Sequence, residues 1–187
     1  MNAYHIHVTS PTKPKGRWKK TEIFLEKGAR KENHEMYTKT VLYDGFVEEA
    51  IYDIIEDYKK DFESISRFKI ELLNQPDYFR QYTPEHYREV HIKTKIPKEN
   101  FEFAKQMLKE DEDYLGFALS SNPKEVKDSY VTQFLNMRFL SGDFDESNIK
   151  IERVKDLLKQ NNLEIIEVKD ELSVYDTNFK LDKWWAH

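Results

Sequence analysis

Apolar and polar residues alternate from residue 4 to residue 9, with Tyr4, Ile6 and Val8 on one side and His5, His7 and Thr9 on the other. A period of two sends successive side chains to opposite faces, so this stretch predicts a half-buried strand. The same beat returns over 67–73, where Phe68, Ile70 and Leu72 share a side, and over 90–96, where Val90, Ile92, Thr94 and Ile96 do. Further runs predict strands over 22–26, 36–43, 117–120, 130–139, 163–168 and 171–175. Elsewhere the period lengthens. Val47, Ile51, Ile54, Ile55, Tyr58 and Phe62 recur at three- and four-residue steps and predict a helix over 46–62, with Asp44 as its N-cap. Pro97 stops the preceding strand and opens a second helix over 100–110. A third helix runs to residue 159 from a cap at Asp145 or Ser147.

From 90 to 168 the order is strand, helix, two strands, helix, strand, which is that of the ferredoxin-like split unit. The first half reads the same way, with its first helix replaced by a basic loop over 10–20. The pattern therefore predicts one globular domain, residues 1–187, of α+β class. Its halves, 1–85 and 86–187, would be tandem, pseudo-duplicated ferredoxin-like (βαββαβ) units, each an antiparallel sheet with helices on one face. Three more loops are expected: a polar one over 27–35, one around Pro123, and one over 74–85 holding Pro76 and Pro84. Tyr78, Phe79 and Tyr82 in the last of these predict a lid that packs down. Trp184 and Trp185 read as anchors for the tail, and Asp176 and Asn178 as turn formers.

Composition narrows the chemistry. The 187 residues contain no cysteine, which excludes disulfides, thiolate zinc sites, iron–sulfur clusters and a cysteine nucleophile. Only 5 glycines occur, and no Gly-rich phosphate loop is among them, so a Rossmann or P-loop enzyme is not expected. A formal net charge of −5 argues against a general nucleic-acid coat. No apolar run approaches membrane-spanning length and residues 1–20 lack an apolar leader, so a cytoplasmic protein without a membrane partner is expected.

If helices cover one face of each sheet, the opposite face collects the alternate residues. These are His5, His7 and Thr9, then Arg67, Lys69 and Glu71, then Glu89, His91, Lys93 and Lys95, and finally Glu171, Ser173 and Tyr175. Arg138 closes a strand whose Thr132, Phe134 and Asn136 lie on its side, as an anion clamp or as half of a surface pair. A solvated sheet face is polar too. A mixture of His, Lys and Glu over several strands goes further, because it suits anion binding and proton transfer. In this reading His7 and His91 are the catalytic acid and base, Glu71 orients, and Lys69, Lys93, Arg138 and Tyr175 hold the ligand.

The triplets His7-Val8-Thr9 and His91-Ile92-Lys93, one per half, resemble the His-h-Thr pair of the 2H phosphoesterases, the cyclic phosphodiesterases and RNA-end ligases. Lys93 departs from that pattern, standing where the family has Thr or Ser. The resemblance implies two imidazoles acting across a cleft on a phosphodiester. A second resemblance covers roughly residues 67–185. Lys69-Ile70-Glu71, His91-Ile92-Lys93, Val131-Thr132-Gln133 and the tail from Glu171 to Asp182 are similar to an uncharacterised family of small bacterial proteins, which implies no known activity.

Three other chemistries are weighed on the same residues. His5-x-His7, completed by Glu71 or His91, is the one set that admits a divalent metal, and no other cofactor is indicated. A triphosphate tunnel of the CYTH type resembles a barrel entered by an E-x-E-x-K strand; no strand here carries one, so that class is set aside. Nucleic acid is not expected on a face of charges rather than aromatics, which leaves only Trp18 among the lysines of 13–20 as a stacking group. The expected function is to bind, and in the stronger form to hydrolyse, a small phosphorylated or nucleotide-like molecule in a cleft of strand His, Lys and Glu residues. The alternative is a non-catalytic binding or protein-interaction module using the same face. Neither the ligand nor the oligomeric state is legible.

Overall fold

A computed structural model of the chain describes residues 1–75, 77–122, 129–182 and 184. The expected loop prolines Pro76 and Pro123 and the expected anchor Trp185 lie outside these residues. The strands are β1 (Asn2–Thr9), β2 (Lys19–Lys27), β3 (Arg30–Tyr43), β4 (Arg67–Leu73), β5 (Tyr87–Pro97), β6 (Ala118–Ser121), β7 (Tyr130–Phe139) and β8 (Glu164–Asp176). The helices are α1 (Val47–Tyr58), α2 (Phe101–Leu115) and α3 (Phe144–Gln160). No helix among the described residues is long and apolar enough to cross a membrane.

Every strand pairs antiparallel with both neighbours, and the order β1-β3-β2-β6-β7-β5-β8-β4 returns to β1. The fold is thus a closed antiparallel barrel with short helices outside, not the expected α+β pair of open ferredoxin-like sheets. Within each half the strands lie in the order fourth, first, third, second. What the expectation missed is the fate of the four edges. β4 pairs with β8 and β2 with β6, so no strand is left as a free edge of an open sheet. Alternation reports which face a side chain takes and is blind to such closure, because edge pairing is made by backbone. The two seams differ: β4 meets β8 from residue 69 to 73, whereas β2 meets β6 only at residues 24–26.

The apolar alternates point outward. Tyr4, Ile6, Val8, Ile70 and Leu72 form one buried cluster with Val47, Ala50 and Ile54 of α1 and with Ile151, Val154 and Leu158 of α3. The core therefore lies between barrel wall and helices, and each such aliphatic side chain contributes about 1.5–3 kcal/mol of burial. Helix ends depart from expectation where local chemistry decides. α3 begins after Asp143, whose Oδ1 accepts from the Glu146 amide at 2.9 Å. α2 runs on to Leu115 and stops at Gly116, which takes the left-handed cap conformation with φ 73°. α1 has no side-chain cap, and its last predicted turn tightens into a 3-10 turn, Lys59–Asp61.

The polar stretch 27–35 is not a loop. Lys27 pairs with Arg30 across a two-residue turn in which Gly28 has φ 56°, so β2 and β3 form a hairpin. The basic loop after β1 is tied down. Trp18 packs edge-on against Phe62 at 4.9 Å and Tyr58 at 6.0 Å, and its Nε1 donates to Asp61 at 2.9 Å. Lys39 lies over the same ring, so Trp18 is a packing anchor and not a free stacking platform. The segment expected as a lid docks beside α3 instead: the Tyr82 amide donates to Gly142 O at 3.0 Å, and Gln81 bridges to Asp143. Trp184 packs on Leu25 and Ala118 and donates to Glu32 at 3.1 Å.

Candidate site inside the barrel

Rolling the sheet shut turns the polar alternates inward. β1 sends in His5 and His7, which stand in register with Glu71 and Lys69 of β4. On β5, Glu89 and His91 face Arg138 and Asn136 of β7. β8 adds Glu171, opposite Glu89, and Ser173, opposite both Tyr87 and Glu71. These side chains surround a cavity of about 590 Å³, with His5, His7, His91, Asn136 and Glu171 in its wall. A deeper recess of about 100 Å³ reaches Arg67, Lys69 and Glu89.

A chain of ion pairs joins them. His7 Nε2 donates to Glu71 Oε2 at 2.7 Å, and the other Glu71 oxygen pairs with Lys69. Lys69 Nζ also donates to Glu89 Oε2 at 2.7 Å, and Arg138 pairs with Oε1 of the same carboxylate. His5 Nδ1 lies 3.0 Å from Glu171 Oε1, and His91 Nε2 lies 3.3 Å from Glu171 Oε2. At the far end Arg67 forks onto Asp176 at 2.9 and 2.6 Å, and Tyr87 donates to Asp176 at 2.5 Å.

The two catalytic candidates are held in opposite states. Asn136 donates its amide to Ala118 O at 3.0 Å and to Ser120 Oγ at 2.9 Å, which turns its carbonyl toward His91 Nδ1, 2.7 Å away. One His91 nitrogen thus meets a fixed acceptor and the other meets two carboxylates, so both nitrogens carry protons. Burial alone would lower this imidazole's pKa, but hydrogen bonds and charge from Glu171 and Glu89 prevail and raise it to about 10. For His7, burial outweighs the attraction of Glu71 and pushes the pKa down, leaving the ring neutral, with its Nδ1 buried and unpartnered. Burial and the nearby Glu171 work to raise the Glu71 carboxyl; Lys69 and His7 overcome them and hold it well below the usual carboxylate range. An opposed pair of this kind is the arrangement that acid–base chemistry uses.

Two expected ligand holders are already engaged. Lys69 and Arg138 are buried against Glu71 and Glu89, so they act first as counter-ions of the wall. Arg67, Lys69, Arg138 and protonated His91 oppose Glu71, Glu89, Glu171 and Asp176, four charges against four, so this inner network is neutral. Lys93 lies with its ammonium 5.5 Å over the Phe134 ring, and Phe134 rather than Lys93 lines the cavity.

Tyr175 is displaced by a bulge. Between Ile70 and Glu71 the register on β8 jumps from Tyr175 to Ser173, so one extra residue sits on β8 and the alternation changes phase. Tyr175 therefore pairs with Ile70 and packs against the outer core, while Asp176 turns inward to Arg67. Asp176 was legible only as a turn former, and no compositional signal marks the bulge. Asn136, Glu89 and Glu171 were visible in the alternation, but nothing ranked them. The barrel that forms here is lined by acids and bases, and its first strand carries His5-x-His7 rather than the E-x-E-x-K of the CYTH type. No protein-family model matches the chain, and neither curated proteins nor solved structures give a significant match.

Proposed function

We propose that the barrel interior binds a phosphorylated or nucleotide-like small molecule and hydrolyses it between His7 and His91. The observation that carries the reading is the cavity of about 590 Å³ that both imidazoles line, within the usual range for small-molecule sites. A macromolecule cannot lie flat on a face that is rolled inward, which favours a small ligand over a protein or nucleic-acid partner. Lys19 and Lys169 in the cavity wall supply positive charge for the phosphoryl group. In the reaction, water adds to phosphorus and gives its proton to the His7–Glu71 pair. The bond from phosphorus to the leaving oxygen breaks, and that oxygen takes a proton from His91.

A thermal-shift screen against nucleotides, sugar phosphates and inorganic phosphate tests the binding. Occupancy at 100 times the dissociation constant adds about 2.7 kcal/mol and moves the midpoint by several degrees. Phosphorylated compounds should shift the melting temperature and their dephosphorylated counterparts should not; no shift with any of them overturns the reading. His91→Ala should then abolish turnover while leaving affinity largely intact. The mutual pairing of Lys69, Arg138 and His91 with Glu71, Glu89 and Glu171 favours a second reading, binding without turnover, in which His91→Ala changes affinity alone.

A further inference from the structure

We infer that His5, His7, Glu71 and Glu171 form a binding site for one divalent transition-metal ion, of the zinc or manganese kind. Each of the four offers one donor atom, two imidazole nitrogens and two carboxylate oxygens, and these atoms all lie within 4.8 Å of one another. A four-coordinate ion with bonds of about 2.0–2.2 Å holds its donors roughly 3.3–3.6 Å apart, so side-chain adjustments on the order of 1 Å close the set. The nearest cross-contacts are shorter than that and would open by a few tenths of an ångström around an ion: 2.7 Å from His7 to Glu71, and 3.0 Å from His5 to Glu171. His5 Nδ1 lies a further 4.0 Å from Glu71 Oε2, which brings the two pairs together around one point.

The supporting shell is built. Glu71 turns one oxygen to the histidines and anchors the other on Lys69; Glu171 turns one to His5 and the other to His91. Each carboxylate is thus oriented by a cation on its far side and free to ligate on its near side. Both histidines line the cavity, which gives an ion a path in. Without an ion the neutral His7 ring carries its proton on Nε2, toward Glu71; ligation through Nε2 moves that proton to Nδ1, which is buried without a partner. Two imidazoles in the set select zinc, manganese or ferrous iron over magnesium and calcium, which prefer oxygen alone.

Charge gives the site its use. Lys69, Arg67 and Arg138 are spent on carboxylates, so the deep interior has little cationic charge left for an anionic ligand. A bound dication supplies it. This inference rests on the proposed function for its use of the ion, but not for ion binding itself. With the ion in place His7 would be a ligand, and a water taken up as a fifth ligand would be acidified by the metal instead of giving its proton to the His7–Glu71 pair.

The test is calorimetric titration of the untagged, EDTA-treated full chain with zinc chloride and with manganese chloride. One equivalent should bind saturably, and His5→Ala and Glu171→Gln should each weaken it at least tenfold while magnesium competes poorly. Cobalt titration of the unmutated chain gives an independent readout that no folding defect can confuse, an intense visible band for a tetrahedral nitrogen–oxygen site. Absence of saturable binding at one equivalent, or binding unmoved by His5→Ala, overturns the inference. Phosphorylated compounds that stabilise the EDTA-treated chain while no metal binds would sink the ion and spare the cavity reading. A metal that binds where no phosphorylated compound does would support the ion and sink the phosphoryl reading.

Discussion

Arg88 and Glu89 are neighbours on β5, both buried, and they serve opposite sides of the barrel wall. Outside, Arg88 grips Asp170 with Nε at 2.9 Å and Nη2 at 2.5 Å, and its Nη1 donates to Ser147 at 2.5 Å and Asn148 at 2.9 Å. Its guanidinium also lies 4.9 Å from the centre of the Phe144 ring. Every nitrogen of the fork is engaged, and the group stitches the start of α3 to the wall. Inside, Glu89 belongs to a chain of pairs that runs along a cavity and ends in a histidine nitrogen without a partner. The same chemistry of paired charge thus makes a staple on one face and a candidate site on the other. What separates them is the cation, since every Arg88 nitrogen is spent on partners outside the cavity while the inner chain borders open volume.

The largest effect should come from removing the hub of the inner chain. Lys69→Met leaves Glu71 and Glu89 buried without their common cation and should cost about 3–5 kcal/mol, read as a lower midpoint in urea. The matching outer change, Arg88→Met, should cost less, about 1–3 kcal/mol, because Asp170 keeps contact with water at 27% side-chain exposure. It should also leave ligand and metal binding unmoved. Equal losses from the two variants would erase the distinction between staple and site.

Next in size is a pH dependence that belongs to the inner cluster alone. The folded pKa of His91, about 10, lies above the value of about 6.5 expected for the unfolded chain. Its stabilisation is therefore fully present below pH 6.5 and is lost as pH rises toward 10, with a slope of up to about 1.4 kcal/mol per pH unit. Urea unfolding in metal-free buffer at a series of pH values should reveal that slope in the unmutated chain and in Arg88→Met. His91→Gln should flatten it; an unchanged slope would remove His91 from the protonated role.

The smallest expected effect sharpens the boundary between the two faces. Tyr175→Phe should change ligand affinity by less than about twofold and stability by about 0.5 kcal/mol or less, since the bulge has turned this ring to the outer layer. A tenfold loss of affinity would return Tyr175 to the cavity.

The strand β4 was legible residue for residue, because Phe68, Ile70 and Leu72 sit strictly out of phase with Arg67, Lys69 and Glu71. That phase also put His5, His7, His91 and Glu171 on one face, and the structure gathers them around one cavity. Three things were hidden for physical reasons. Barrel closure is made by backbone groups at strand edges, which side-chain patterning does not encode. The start of β3 is polar on nearly every residue, so no apolar beat announced it. The exchange of Tyr175 for Asp176 depends on one extra residue in β8, and an insertion of that kind leaves each side of the pattern intact while shifting their relation.

The short seam where β2 meets β6 at residues 24–26 sets how the barrel breathes. A hoop under load parts where it is weakly joined, and β6 is held by three residue pairs to β2 and three to β7, against ten between β5 and β7. Amides of this joint should be the first of the barrel to exchange with deuterium, well before those of β5, and local opening there would not require the molecule to unfold. Ser120 and Ser121 belong to that joint and also to the cavity wall. Opening at this joint would expose the interior, so entry and exit of a bulky molecule would then follow the rate at which it opens and would be slowed by a crosslink across it.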